Sequence, residues 1–395
     1  MVKNTDKLWN KEYNKVMVAN FAMYFSFYLI TPLLPLYLHE HFGASKDVIG
    51  MLLSGYALAA LISRPFSGYI VDSFSRKKVL VFFLFIYFVL FGGYLTAGSL
   101  TLFAVIRTLH GAPFGAATVS ASTVAIDTVP SSRRNEGIGY YGLSNNIATA
   151  VAPTAGVLIY KYYGNFEILF ILALFFAAIG LVIASFINIP CREIVKNKNK
   201  LSLDRFFLTK GWLLGVNMIF FSLCYGVISN YVAIYGKQVL GITGGTGLFF
   251  TLFAVGLILS RLQGGKALRQ GKMVHNAKEG ILISTLGYII FILMKNEYGF
   301  YAAPFLIGIG NGHMYPAFQN MIIGVAYHNE RGTANSTLLT CWDVGVGIGI
   351  VTGGVLSEYF SYSTAFWTIV GVHIAGVILF FTCTGKFFVK RRIAE

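Results

Sequence analysis

Twelve apolar runs dominate the 395-residue chain, at roughly 16–38, 48–71, 79–97, 101–123, 137–160, 166–188, 211–235, 246–264, 279–296, 299–323, 333–357 and 364–385. One helical crossing of a bilayer takes about 20 such residues. With no water at that depth, each crossing must satisfy its own backbone polar groups, which in a run of this length means a helix. The pattern predicts an all-α membrane protein and argues against a soluble enzyme with a single core. Composition agrees: 56% of residues are hydrophobic and 12% charged, against about 25% charged in soluble domains.

The net charge of +15 would suit a nucleic-acid binder if the charges formed one patch, but they do not. Of the 31 Lys and Arg, 24 lie in the two tails and the even-numbered loops, and four in the outer loops: Lys46, Lys161, Lys237 and Lys295. That asymmetry sets topology, with basic loops and both termini cytoplasmic. No nucleic-acid partner is expected. Residues 1–15 are charged and no small-residue cleavage site follows the first run, so no cleaved signal peptide is expected. Cys191, Cys224, Cys341 and Cys383 are scattered, which points to neither a disulfide framework nor a metal site.

The longest cytoplasmic connection divides the chain into an N-terminal half, 1–190, a linker, 191–210, and a C-terminal half, 211–395. A shift of 197 residues aligns the halves. It places Ser63-Arg64 on Ser260-Arg261, Gly68 on Gly265, Gly111 and Gly115 on Gly308 and Gly312, and Gly156 on Gly353. Internal repeats of this kind mark secondary transporters, whose substrate site lies near the midplane between repeats.

Gly68-Tyr-Ile-Val-Asp72-Ser-Phe-Ser-Arg76-Lys77-Lys78, between spans 2 and 3, resembles the signature loop of the major facilitator superfamily, with Ser75 where that loop usually has glycine. Arg107 with Gly111 is similar to the superfamily's Arg-x-x-x-Gly motif. Ala152-Pro153-Thr-Ala-Gly156 is similar to its antiporter motif, with alanines at two of the glycine positions. Ser63-Arg64-Pro65-Phe66-Ser67-Gly68 resembles the sugar- and drug-efflux branch. The resemblance implies twelve transmembrane helices in two pseudo-symmetric six-helix bundles, which rock to give alternating access. It also implies that Asp72, Arg76 and Asp127 form an inside gate at the cytoplasmic face. Arg64 and Arg261 are candidates for the same gate, with interfacial anchoring as the plain alternative, and Gly68 belongs to the motif.

Arg107 lies within an apolar stretch, where an arginine costs about 2.5–3.5 kcal/mol at the bilayer centre. It should therefore face the interior or water and have a partner. His110 follows one turn later on the same face; histidine as a residue type titrates near neutral pH, with a satisfied buried histidine as the plain alternative. Of the sixteen acidic residues, only Asp343 lies deep in a span; its repeat mate is Asn146. Desolvation and a nearby cation compete over such a carboxylate, a competition that suits proton exchange. Asp343, Arg107 and His110 are thus the candidates for proton coupling, and Asp343 is the expected partner of Arg107.

The resemblance implies that spans 1, 4, 7 and 10 line the cavity. They offer Tyr24 and Tyr28; Asn217, Tyr225, Asn230 and Tyr231; and Asn311, His313, Tyr315 and Gln319, with Asn146 added from span 5. Aromatic and amide surface suits a medium-sized amphipathic molecule. With Arg107 as the nearest charge, neutral, anionic or zwitterionic substrates are favoured over cations. No nucleotide-binding loop, zinc-protease motif or nucleophile setting occurs, and no cofactor is expected. The expected function is proton-coupled export of a small organic compound by a monomer in a bacterial inner membrane. Import or uniport of a sugar or organic anion is the alternative, and a non-transporting receptor ranks below both.

Overall fold

The computed structural model describes residues 7–44, 46–189, 206–242 and 246–393. Of the expected linker only 206–210 falls among these, and the side chain of Arg261 lies outside the described residues. The first span is two helices, α1 (Lys11–Ile30) and α2 (Leu34–Phe42), separated by a 3-10 turn at Thr31–Leu33. Pro32 and Pro35 account for the break, because each lacks an N–H and its ring crowds the carbonyl one turn back. There follow α3 (Lys46–Ser73), α4 (Arg76–Thr96), α5 (Leu100–Thr128), α6 (Arg134–Tyr163) and α7 (Phe166–Ser185). After the linker come α8 (Trp212–Gln238), α9 (Thr246–Arg269), α10 (Met273–Leu293), α11 (Glu297–Gly324) and α12 (Arg331–Tyr359). The last span joins α13 (Tyr362–Leu379) to α14 (Gly385–Arg391) through a π-helical turn, Phe380–Thr384.

Helices therefore stand at all twelve apolar runs. Among the described residues, eight are apolar enough by composition alone to cross a membrane, and Gly247–Ser260 of α9 is a shorter apolar stretch; α3, α6 and α11 are not among them. These three are long enough, at 28, 30 and 28 residues. Their interiors carry glycines and polar groups such as Arg64, Asn146 and Gln319, which lower hydropathy but can be satisfied against neighbouring helices. The exposed residues of α4 and α7 include Phe82, Phe85 and Val89, and Ile171, Phe175 and Val182. Those apolar stripes at helical spacing face lipid in a multi-pass membrane protein.

Packing divides the chain into two units, Met1–Gly137 with Tyr141–Phe207 and Asn329–Ser336, and Ile138–Tyr140 with Leu208–His328 and Thr337–Glu395. In the first, α3 packs on α5, α1 on α7, and α4 on both α5 and α7; in the second, α9 packs on α11, α8 on α13, and α10 on both α11 and α13. The two internal plans correspond helix for helix.

The correspondence extends to single residues. At the same shift of 197, α4, α5 and α6 begin at Arg76, Leu100 and Arg134, and α10, α11 and α12 at Met273, Glu297 and Arg331. The 3-10 turns Ser131–Arg133 and His328–Glu330 correspond too. Ser99 caps α5 by accepting from the Leu102 N–H at 3.2 Å, and Asn296 caps α11 by accepting from the Gly299 N–H at 2.9 Å. A Cβ on Gly111 would collide with the Tyr56 carbonyl, and one on Gly308 with the Phe253 carbonyl. A Cβ on Gly115 would lie 2.6 Å from both the Ala60 carbonyl and the Ser63 hydroxyl; on Gly312 it would meet the Leu257 carbonyl and the Ser260 hydroxyl. Glycine at these four places lets helix backbones touch.

Candidate functional site

Polar chemistry gathers at three places. The first joins the C-terminal ends of α3 and α5 to the N-terminal ends of α4 and α12, all within the first unit. Arg76 donates through Nη1 to both Asp127 oxygens at 2.6 Å and through Nη2 to Asp72 Oδ1 at 3.3 Å. Asp72 in turn accepts the Gly332 N–H at 2.9 Å, the Thr333 N–H at 2.7 Å and the Thr333 hydroxyl at 2.9 Å. These amides belong to the first turn of α12, where backbone N–H groups lack intrahelical acceptors and the helix dipole favours an anion. Asp72 therefore caps a helix that starts 259 residues further along the chain. Arg331 closes the set at 3.6 Å from Asp127 Oδ1. Arg76 is almost wholly buried, and Asp72 and Asp127 nearly so.

Close approach of α3 and α12 makes this geometry possible. A Cβ on Gly332 would sit 2.8 Å from the Gly68 carbonyl, and one on Gly68 would sit 2.6 Å from the Ser336 Cβ. Ser336 donates its hydroxyl to the Arg64 carbonyl at 2.5 Å, and Asn335 donates to the Thr123 hydroxyl at 3.1 Å. Asp72, Arg76, Asp127, Gly68 and the Arg64 backbone thus come together. Arg331, Gly332 and Thr333 were not among the residues expected at this gate. The repeat carried a signal for them, since Arg134 and Arg331 open corresponding helices.

The second place surrounds Arg107. Its guanidinium carbon lies 4.1 Å from the centroid of the Tyr56 ring, 5.4 Å from that of Phe27 and 6.0 Å from that of Tyr94. Its Nη1 donates to the Tyr94 hydroxyl at 3.1 Å. The same hydroxyl lies 2.7 Å from His110 Nδ1. Because Arg107 can only donate, the Tyr94 oxygen accepts from it, and the same hydroxyl is hydrogen-bonded to His110 Nδ1, the donor there being set by the imidazole tautomer. The imidazole is packed by Tyr87 and Phe91, with centroids 4.4 and 4.6 Å away.

Arg107 is 2% exposed, and its contacts within the first unit are aromatic faces and one phenol. A buried guanidinium is tolerable here because ring faces present negative charge to it, each desolvated pair contributing about 2 kcal/mol. The sequence missed Tyr56 and Tyr94, which α3 and α4 bring to α5 and which no spacing rule connects to Arg107.

The third place is the middle of α12. Asp343 is half-buried there, as are Trp342 and Asn146 at its repeat position in α6. The Trp342 ring centroid lies 5.5 Å from that of Tyr225 and 5.2 Å from that of Tyr315, the latter pair edge-to-face. Trp342 was not among the expected site residues.

The remaining cavity candidates separate by what their polar atoms do. Tyr24 and Tyr28 are half-buried and stacked on one another at 6.2 Å, with Phe114 edge-on to Tyr24. Gln319 and Asn311 are buried on α11, and Asn230 is exposed in the C-terminal half of α8, donating to the Gly226 carbonyl of its own helix. Three candidates prove to be ties between helices. Asn217 is fully buried and donates to the Gly376 carbonyl at 2.9 Å, joining α8 to α13. His313 pairs through Nδ1 with Asn276 Oδ1 at 2.8 Å while Asn276 donates back to the His313 carbonyl at 2.9 Å, joining α11 to α10. The Tyr231 hydroxyl donates to the Ile350 carbonyl at 2.7 Å, joining α8 to α12. A polar group in a lipid-embedded helix needs a partner, and in these three a neighbouring helix supplies one.

Known proteins share both the sequence pattern and the fold. The chain is 25% identical over 347 residues to the staphylopine export protein of Staphylococcus aureus, covering 84% of this chain and 85% of that protein. It is 25% identical over 353 residues to an uncharacterized MFS-type transporter, YhhS, of Escherichia coli, covering 87% and 85%. Two solved structures superpose on it: the human organic anion transporter MFSD10 (TM-score 0.79, 16% identity, 93% and 98% covered) and FucP in the outward conformation (TM-score 0.79, 15% identity, 98% and 100% covered). The model of the Major Facilitator Superfamily matches residues 16–277 and 271–387. With helices at all twelve apolar runs, an internal repeat and these matches together, the chain belongs to the major facilitator superfamily.

Proposed function

We propose that this transporter exports a small organic compound from a bacterial cytoplasm in exchange for protons, working as a monomer. The observation that carries the reading is Asp343, the acid set in the middle of α12 and only half-buried. A carboxylate at that depth is costly when charged and cheap when protonated, so gaining or losing one proton changes which state of the carrier is favoured. The S. aureus relative, itself named as an export protein, supports the direction.

In this reading the two halves, 1–190 and 211–395, rock about the linker, both termini are cytoplasmic, and the Asp72–Arg76–Asp127 cluster with the start of α12 is the latch at the cytoplasmic end. Arg107 and His110, joined through Tyr94, hold the α3–α4–α5 packing that the motion requires.

The test is proton movement in energised everted vesicles, followed with a pH dye while a diverse panel of compounds is added. A compound that dissipates the gradient with wild type and not with Asp343→Asn supports the reading. Wild-type coupling and pH dependence in Asp343→Asn would remove Asp343 from it. Uphill accumulation in right-side-out vesicles alone would reverse the direction to import.

A further inference from the structure

We propose that α14, together with the turn that leads into α8, forms a docking surface for the phosphate headgroup of an anionic phospholipid. The surface lies on the rim of the second unit, and the proposal does not depend on what the chain transports.

Length is the first argument. The last span runs Tyr362–Arg391, 30 residues, or about 45 Å of helix, against about 30 Å of hydrocarbon in a bilayer. Its first Lys, Arg, Asp or Glu is Lys386. The apolar part therefore fills the hydrocarbon and α14 stands at headgroup level. At the shift of 197, the mate of this span is α7, which ends at Ser185, the position of Thr382. The repeat does not call for α14; it is an addition at the end of the second unit.

Attachment is the second. Phe388 is buried, and a Cβ on Gly324 at the end of α11 would lie 3.3 Å from its ring. The Ile393 N–H donates to the Gly324 carbonyl at 2.8 Å. Arg391 donates through Nη1 to the Lys210 carbonyl at 3.4 Å, and its guanidinium carbon lies 4.6 Å from the centroid of Phe387. Trp212, the first residue of α8, meets the same Phe387 ring edge-on at 6.3 Å. The basic helix is thus fixed against α8 and α11, with one of the five guanidinium N–H groups of Arg391 given to that tie.

Charge is the third. Lys386 and Lys390 are one turn apart on the side of α14 away from Phe388, and both are exposed, as are Arg391 and Arg392. Among the described residues, the side chains of Lys386, Lys390 and Arg392 have no ion-pair partner, and neither 206–212 nor 385–393 contains an acid. On α10, whose Val274 would meet a Cβ on Gly385, the nearby acid Glu279 lies 3.1 Å from His275. Beside these cations Trp212 and Val389 are each 55% exposed. Four Lys and Arg closing a span attract anionic headgroups, and the adjoining apolar surface suits acyl chains. A free anion would answer the charge and leave Trp212 and Val389 uncovered.

The experiment makes Trp212 the reporter. Trp9, Trp342 and Trp367 are changed to Phe in the full chain, which is reconstituted in phosphatidylcholine vesicles. The vesicles carry the same fraction of either brominated phosphatidylglycerol or brominated phosphatidylcholine, whose bromines quench tryptophan on contact. The expected result is a preference for phosphatidylglycerol of roughly fivefold. It should fall by at least half in Lys386→Gln with Lys390→Gln. It should stay unchanged in Lys77→Gln with Lys78→Gln, which removes the same charge from the start of α4 in the first unit. Equal quenching by brominated phosphatidylcholine in all three proteins checks that Trp212 keeps its place. No preference, or an equal fall in both double variants, overturns the proposal, the latter by reducing it to general attraction between a basic protein and an anionic bilayer. Inorganic phosphate in place of chloride at equal ionic strength should leave the preference intact; its loss would assign the cluster to a free anion and overturn the lipid.

Discussion

Arg107 on α5 and Tyr56 on α3 are stacked, guanidinium over ring, at 4.1 Å. Both are buried, and the Tyr56 hydroxyl has no hydrogen-bond partner among the described residues, so the ring face is what Tyr56 contributes. Tyr56→Phe is then expected to fold and transport within about twofold of wild type. Tyr56→Leu should lose a cation–ring contact of about 2 kcal/mol, visible as a lower thermal midpoint in detergent. Arg107→Lys replaces a flat, weakly hydrated cation with a compact, strongly hydrated one and should lose more than tenfold of transport. A fully active Arg107→Lys would count against the stacking account.

Tyr94→Phe removes the hydroxyl that accepts from Arg107 and is hydrogen-bonded to His110 Nδ1. Two buried groups would lose a partner, at about 1–3 kcal/mol each. The variant should unfold at lower temperature than wild type, and a second change, His110→Phe, should cost less in the Tyr94→Phe background than alone. A double-mutant cycle on thermal stability measures this, and strict additivity would mean the network carries no coupling.

Asp72→Asn keeps the side-chain shape and removes the charge that answers Arg76 and the first turn of α12. Breaking a buried pair leaves an uncompensated cation, typically at 3–5 kcal/mol. If this cluster is the latch, a cysteine placed at Ser336 in a chain without other cysteines should react several-fold faster with a membrane-impermeant maleimide in everted vesicles once Asp72→Asn is added. Equal rates would mean that the cluster holds α12 without guarding access.

Gly111→Val and Gly308→Val should fail alike, because each puts a side chain into the backbone carbonyl of a neighbouring helix. The readout is loss of monodisperse protein on gel filtration. Gly92→Ala in α4 and Gly371→Ala in α13 meet nothing within 4 Å and should be neutral or raise stability by up to about 1 kcal/mol, through helix propensity.

Asn217→Ala should lower the thermal midpoint by removing the tie to Gly376, and leave the KM for transported compounds unchanged. A changed KM at unchanged stability would return Asn217 to the cavity.

The sequence by itself determined the spans, the repeat and the break at Pro32. These follow from hydropathy over about 20 residues, from proline's missing N–H, and from a shift of 197 that reappears in helix starts, caps and glycine contacts. It also determined that Asp72, Arg76 and Asp127 share one end of their helices, since each lies at the mouth of a span. Tertiary structure alone decided which polar residues tie helices together and which gather around Trp342. Asn217, His313 and Tyr231 read like Tyr225 and Tyr315 along the chain, yet the first three spend their hydrogen bonds on neighbouring helices and the last two flank Trp342. It alone decided that Arg107 is held by Tyr56 and Tyr94 and that Asp72 caps α12. Such partners come from helices whose relative rotation is set by side-chain packing, and helix periodicity fixes which residues share a face, not which face a neighbouring helix covers.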